Sequence, residues 1–234
     1  MSDSTSSPTS SSGVYGLAAD WSGDREAFKV PWGKAMMWVF LLSDTFVFGI
    51  FLSGYMAVRM TTAEPWPNPS EVFALQLGAT RLPLILIAIM TFVLISSSGT
   101  MAMAVNFAGR GDRVRAAALM LATAALGAAF VGMQAFEWTK LIVSEGIRPW
   151  GNPLGAAQFG ACFFMITGFH GLHVSVGVIY LTTVAVRLLG HRHSDGPSPD
   201  NGHLRDADRV EIAGLYWHFV DLVWVFIFAF FYLW

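Results

Sequence analysis

Charge is what this sequence has least of. Asp, Glu, Lys and Arg make up 13% of its 234 residues, where a soluble domain carries about a quarter. Hydrophobic residues reach 54% and mean hydropathy is +0.53. A soluble domain is thereby excluded, and a membrane protein is expected. Net charge of one sign is also lacking: the balance is −2, which argues against nucleic acid as a partner. The single cysteine, Cys162, excludes an internal disulfide. It lies in an apolar run and reads as a small core residue. The N-terminal MSDSTSSPTSSSG has no apolar stretch, so no secretory leader is expected. Residues 1–30 read as a polar tail, disordered or peripheral.

What is present is a series of apolar runs. A crossing helix needs about 20 apolar residues. Five segments qualify, over about 35–58, 82–106, 116–138, 154–186 and 212–234. The fold class is therefore an all-α membrane bundle of five helices, with residues 31–234 as the transmembrane domain. The connections carry breakers: EPWPNPSE at 64–71, AGRGDRVR at 108–115 and SEGIRPWGNP at 144–153. GHRHSDGPSPDNGHLRDADR at 190–209 reads as a long solvated loop. Its His191, His193 and His203 resemble a metal cluster only loosely.

Basic residues set orientation. One side collects Arg25, Lys29, Lys34, Arg110, Arg113, Arg115, Arg187, Arg192, Arg205 and Arg209. The other collects Arg59, Arg81, Lys140 and Arg148. The N-terminus is thus expected inside and the C-terminus outside. The terminal aromatics Phe230, Phe231, Tyr232 and Trp234 suit an outer interfacial belt.

Ionisable residues inside spans are costly and mark function or buried pairing. Asp44 stands alone on the first span. Three pairs at i, i+3 share a helix face: Gln134/Glu137, His170/His173 and His218/Asp221. At about 1.5 Å per residue, Asp44 lies roughly 15 Å from Lys34 and His173 roughly 21 Å from Arg187. His218 and Asp221 lie roughly 14 and 18 Å from Arg209. A mid-membrane network of Asp44, His173, His218 and Asp221 is expected, with His170 slightly further out. Glu137, roughly 33 Å from Arg115, is expected at the outer interface and partly hydrated. On the fourth span Ala157, Ala161, Gly168, Gly171 and Ser175 form a small-residue stripe almost opposite the histidines, where a tight helix contact is expected. Three readings of the polar residues stand open: hydrogen-bonded ties between helices, a haem or metal site, and a proton relay or carrier.

Four stretches resemble one family, subunit III of the haem–copper terminal oxidases. FFMITGFHGLHVSVG (163–177) is similar to its TGFHGxHV helix, and EIAGLYWHFVDLVWVFIF (211–228) to its YWHFVDxVW final helix. LGAAFVGMQAFEW (126–138) and MMWVFLLSDTFVFG (36–49) match its LQxxEY-type and acid-bearing segments, in the family's order. Five helices match the short bacterial form. Asp44 stands where the family usually has Glu, and the family's histidine after the next span is not evident near Met101–Asn106.

The resemblance implies a non-catalytic, multi-pass subunit of a proton-pumping oxidase in the bacterial plasma membrane. It implies no catalytic, cofactor or metal-binding residue in this chain. Haem and copper would reside in partner subunits I and II. Phospholipids would be bound, and a respiratory supercomplex is a candidate assembly. The role implied is to hold lipid, support proton uptake at the inner surface and stabilise subunit I. Asp44 matches the family's buried acid, and His170, His173, His218, Asp221, Glu137 and Glu211 its polar interior positions. Arg113, Arg115, Arg205 and Arg209 are candidate contacts to anionic headgroups. The alternatives are the matching subunit of a quinol oxidase, a nitric oxide reductase accessory protein and, more distantly, a free-standing haem or proton carrier.

Overall fold

The computed structural model describes residues 31–77, 80–82, 84–190 and 201–233, with the side chains of 75–77, 80–82 and 201–205 outside that description. The tail with Arg25 and Lys29, His191, Arg192, His193 and Trp234 therefore lie outside the described residues. So do the side chains of Arg81, His203 and Arg205.

A charge-poor chain in lipid must satisfy its backbone internally, and a helix does so within one segment. Helix α1 runs Trp32–Thr61 and the one-turn α2 runs Pro69–Val72. Strands β1 (Leu75–Leu77) and β2 (Thr80–Leu82) pair antiparallel. Helices α3 (Ile85–Gly109), α4 (Arg113–Val143), α5 (Gln158–Gly190) and α6 (Asn201–Phe228) follow, and a π-helical turn closes the chain at Ala229–Leu233. Among the described residues, five helices are long and apolar enough to cross a membrane.

Local chemistry sets the boundaries. Gly111 turns the chain after α3 at φ 80°, a value only glycine adopts without strain. Asp112 then caps α4 by accepting the Arg115 N–H at 3.1 Å. The polar connection before the last span is shorter than expected, because α6 starts at Asn201. Beyond Pro199 the stretch LRDADRVE is rich in helix formers, and Arg209 pairs with Asp206 one turn earlier at 3.4 Å.

Helix α3 packs along α4 and α6, and α4 along α5, whereas α1 touches α5 and α6 sparingly. In their most apolar stretches 22% of α1 is buried against 44% of the last helix. So α6 is central and α1 peripheral. The centre is held by Trp217, which is fully buried. Its ring lies over two glycines. A Cβ on Gly127 of α4 would meet Trp217 Cζ2 at 2.9 Å, and one on Gly177 of α5 would meet Cζ3 at 2.9 Å. Its Nε1 donates to Ser97 Oγ of α3 at 2.9 Å.

This arrangement corrects the expected packing of α5. The tight approach is at Gly177, on the histidine side. Of the small stripe, Gly168 meets Trp138, where a Cβ would stand 3.0 Å from the ring, but one on Gly171 would meet nothing within 4 Å. Ala157 and Ala161 are exposed. Small residues permit close approach, but the indole of Trp217 decides which glycine is used.

Candidate functional site

The polar residues of the spans fall into three groups. In the first, Asp44 of α1 faces His173 of α5, with Oδ2 and Nε2 3.2 Å apart. His173 Nδ1 lies 2.8 Å from the Phe169 carbonyl. A carbonyl only accepts, so Nδ1 carries the proton and Nε2 is the nitrogen turned to Asp44. Phe48 and Phe169 flank it, their ring centroids 5.6 and 4.7 Å from the imidazole.

The second group is Glu137, Gln134 and Tyr232. Glu137 Oε2 accepts from Gln134 Nε2 at 2.9 Å and from the Tyr232 hydroxyl at 3.2 Å. Glu137 is 3% exposed, so the expectation of partial hydration is overturned. The reason is the π-helical turn, which folds Tyr232 back over the carboxyl. One turn on, Lys140 Nζ donates to the Ala74 carbonyl.

The third group is Ser98 of α3 with His218 and Asp221 of α6. Ser98 Oγ and His218 Nδ1 are 2.6 Å apart. All three line a cavity of about 240 Å³ with Ile95, Leu222 and Val225. Both oxygens of Asp221 are buried without a hydrogen-bond partner among the described residues.

The structure therefore does not join Asp44, His173, His218 and Asp221 in one network. Among the described residues no hydrogen bond or ion pair links the first group to the third. Helical phase explains the split. The Tyr216 hydroxyl donates to the His173 carbonyl at 2.9 Å, which turns that side of α6 towards α5. His218, two residues on, is rotated about 200° and faces α3. Asp221 follows at i+3. His170 belongs to none of the groups. It is fully buried, stacks on Trp224 at 5.4 Å and meets the Phe130 ring edge-on at 5.9 Å. Neither of its nitrogens has a hydrogen-bond partner among the described residues.

The basic rim is bonded within itself. Arg113 pairs with Asp206 at 3.0 Å, Arg115 with Asp112 at 3.3 Å and Lys34 with Glu211 at 2.5 Å. Glu211, expected in the interior, is half-exposed at this rim, where Lys34 holds it. Arg187, Arg209, Asp206 and Tyr180 line a cavity of about 230 Å³. Arg205, the remaining rim candidate, has its side chain outside the described residues. No three His, Cys, Asp or Glu side chains converge as metal ligands among the described residues.

Hydroxyls of α3 and α4 were missed from the sequence. Besides Ser97 and Ser98, Thr91 accepts from Trp224 Nε1 at 3.0 Å, and Thr100 meets Thr123 of α4 at 2.7 Å. The run SSSGT at 96–100 was the signal, the one polar stretch in an uncharged span.

Comparison with known proteins agrees with the motifs. The family model described as cytochrome c oxidase subunit III matches residues 19–234. The cytochrome c oxidase subunit 3 of Alkalihalophilus pseudofirmus is 32% identical over 84% of either chain. The quinol oxidase subunit 3 of Bacillus subtilis is 31% identical over 82% of either chain. The cytochrome c oxidase subunit 3 of Thermostichus vulcanus is 30% identical over 93% of this chain and 92% of that one.

Proposed function

Because this chain belongs to the cytochrome c oxidase subunit III family, we propose that it supports a proton-pumping catalytic subunit I without performing chemistry itself. The parent complex is a haem–copper oxidase of the cytochrome c or quinol type. Partner subunits I and II hold the haem and copper. The observation that carries this reading is where the ionisable groups are spent. Asp44 Oδ2 stands 3.2 Å from His173, and Glu137 Oε2 accepts from Gln134 and Tyr232, contacts within the chain that fix the register of helices. A relay or carrier would need such groups along a wetted path.

The chain is placed with its N-terminus inside, its C-terminus outside, and residues 1–30 as a peripheral tail. Lys34 with Glu211 and Arg113 with Asp206 bring the starts of α1, α4 and α6 to one end, and this is the inner rim. Lipid binding has two supports. The cavity beside Arg187 and Arg209 suits a phosphate headgroup. A groove of about 690 Å³ between α1 and α6, lined by Phe48, Leu52, Met56 and Phe226, suits an acyl chain. The cell membrane of a bacterium is the setting, and a larger respiratory assembly is a candidate environment.

The test is deletion of this chain from the oxidase. Oxygen uptake is expected to start near the intact rate, then to fail several-fold sooner during turnover, and adding the purified chain back restores its persistence. Haem absorption in the isolated polypeptide overturns the accessory role.

A further inference from the structure

Among the described residues several buried polar atoms lack a hydrogen-bond partner, and Asp221 is the carboxyl with both oxygens in that state and the one of them that lines the open α3/α6 groove. The cavity between α3 and α6 is polar at its base, with Ser98, His218 and Asp221, and apolar at its rim. The rim faces outward: Ile95 is 58% exposed, Leu222 55% and Val225 45%. Asp221 at the base is 9% exposed; neither oxygen makes a well-formed hydrogen bond among the described residues, and the donor beside the carboxyl is Ser98, whose Oγ lies 2.6 Å from His218 Nδ1. Ser98 cannot serve both oxygens. Its one proton goes to His218 Nδ1, or, when Nδ1 carries the proton, to a single Asp221 oxygen. Either way an acceptor remains.

Depth narrows what can complete this set. Asp221 stands twelve positions beyond Arg209, about 18 Å along the helix. The hydrocarbon core is about 30 Å thick, so the carboxyl lies near its middle. A headgroup does not reach there, and an acyl chain fills volume but donates nothing. Leaving a carboxyl and an imidazole to hydrocarbon is costly. What reaches mid-membrane and donates hydrogen bonds is a polar side chain on another helix. Leu222 also lines the neighbouring α1/α6 groove, so it forms a ridge between two grooves, the relief that helix packing uses.

We propose that the α3/α6 groove is the seat of a transmembrane helix from another oxidase subunit, which brings a hydrogen-bond donor to Asp221. This rests on the reading of the chain as one subunit of an oxidase. The donor is a hydroxyl, amide, indole or guanidinium inserted between Ile95 and Val225. It completes a set that neither lipid nor this chain completes.

The test uses the assembled oxidase in its membranes. A photoreactive benzoylphenylalanine is placed at Ile95, at Val225, or at Leu172 on the exposed face of α5 as a control. After irradiation the tagged chain is purified and its adducts are identified by mass spectrometry. Ile95 and Val225 are expected to label a transmembrane segment of one other oxidase subunit. Asp221→Leu is expected to cut co-purifying haem at least fivefold, and Asp221→Asn, which still hydrogen-bonds, less than twofold. Labelling of lipid alone, or of a second copy of this chain, overturns the seat. So does subunit labelling from Leu172 with Ile95 and Val225 silent. In those cases haem still co-purifies, and the oxidase reading stands. Absence of haem from the purified wild-type assembly overturns both. The labels are read without any substitution at Asp221, so a folding defect in Asp221→Leu leaves the test intact.

Discussion

Glu137 and Asp221 are written alike in the sequence and completed differently in the fold. Each is a carboxylate in a span, and each follows a polar residue three positions earlier, Gln134 or His218. Both are buried, at 3% and 9% exposure. Glu137 receives Gln134 from its own helix and Tyr232 from the terminal turn. Of the Glu137 oxygens only Oε1 lacks a partner among the described residues, whereas Asp221 has both oxygens in that state and beside it only Ser98, which His218 also engages. A polar group that the chain satisfies acts as an internal tie. One left open beneath an exposed groove is the group proposed to meet another subunit. The difference lies in whether a third element folds back over the carboxyl, as the π-helical turn does for Glu137.

The comparison breaks first at the closed group. Glu137→Leu strips the acceptor from both the Gln134 amide and the Tyr232 hydroxyl in a buried site. The expected loss is about 2 kcal/mol, since each stranded group costs about 1–3 kcal/mol and the membrane-unfolded chain recovers part of it. Unfolding of the chain in mixed micelles, against SDS mole fraction, measures this. Glu137→Gln keeps an acceptor and should lose less than half as much. A Glu137→Leu curve within about 0.5 kcal/mol of the parent would remove Glu137 as a tie.

Asp44→Leu should cost less, about 1 kcal/mol by the same measurement. His173 keeps its bond to the Phe169 carbonyl, so only Nε2 is stranded. The loss should show as loosening of α1, the least buried helix, with faster amide exchange there than in α6. An Asp44→Leu effect larger than that of Glu137→Leu would mean that the number of stranded groups does not set the cost.

The sequence carried the bundle plainly, because charge-free runs bounded by Pro, Gly and basic clusters leave a membrane chain little choice. The polar residues were legible as a set, but their partners were not. Depth along each helix was estimated well enough to place Asp44 and His173 together. Rotation was not. Two residues separate Tyr216 from His218, and that half-turn sends one to α5 and the other to α3. Glu137 was read as hydrated because depth places its Cα near the interface and says nothing of Tyr232 folding back over the carboxyl. The seat of Trp217 was hidden for a similar reason. Gly127 and Gly177 lie on different helices, and only the packed fold shows one indole covering both.

The smallest effect is the sharpest. Asp221→Leu in the chain alone should leave unfolding within about 0.5 kcal/mol of the parent, or raise stability slightly. Removing a buried carboxyl normally destabilises because its partners are stranded. Here the Ser98 hydroxyl and His218 Nδ1 still have each other at 2.6 Å, and the leucine fills apolar space beside Ile95 and Trp224. Side by side, Glu137→Leu and Asp221→Leu make the same chemical change in neighbouring helices of one bundle. If the two costs are equal, the open group is closed within the chain after all. If Asp221→Leu is neutral in the isolated chain yet costly in the oxidase, the energy of that carboxyl is spent across the boundary between subunits.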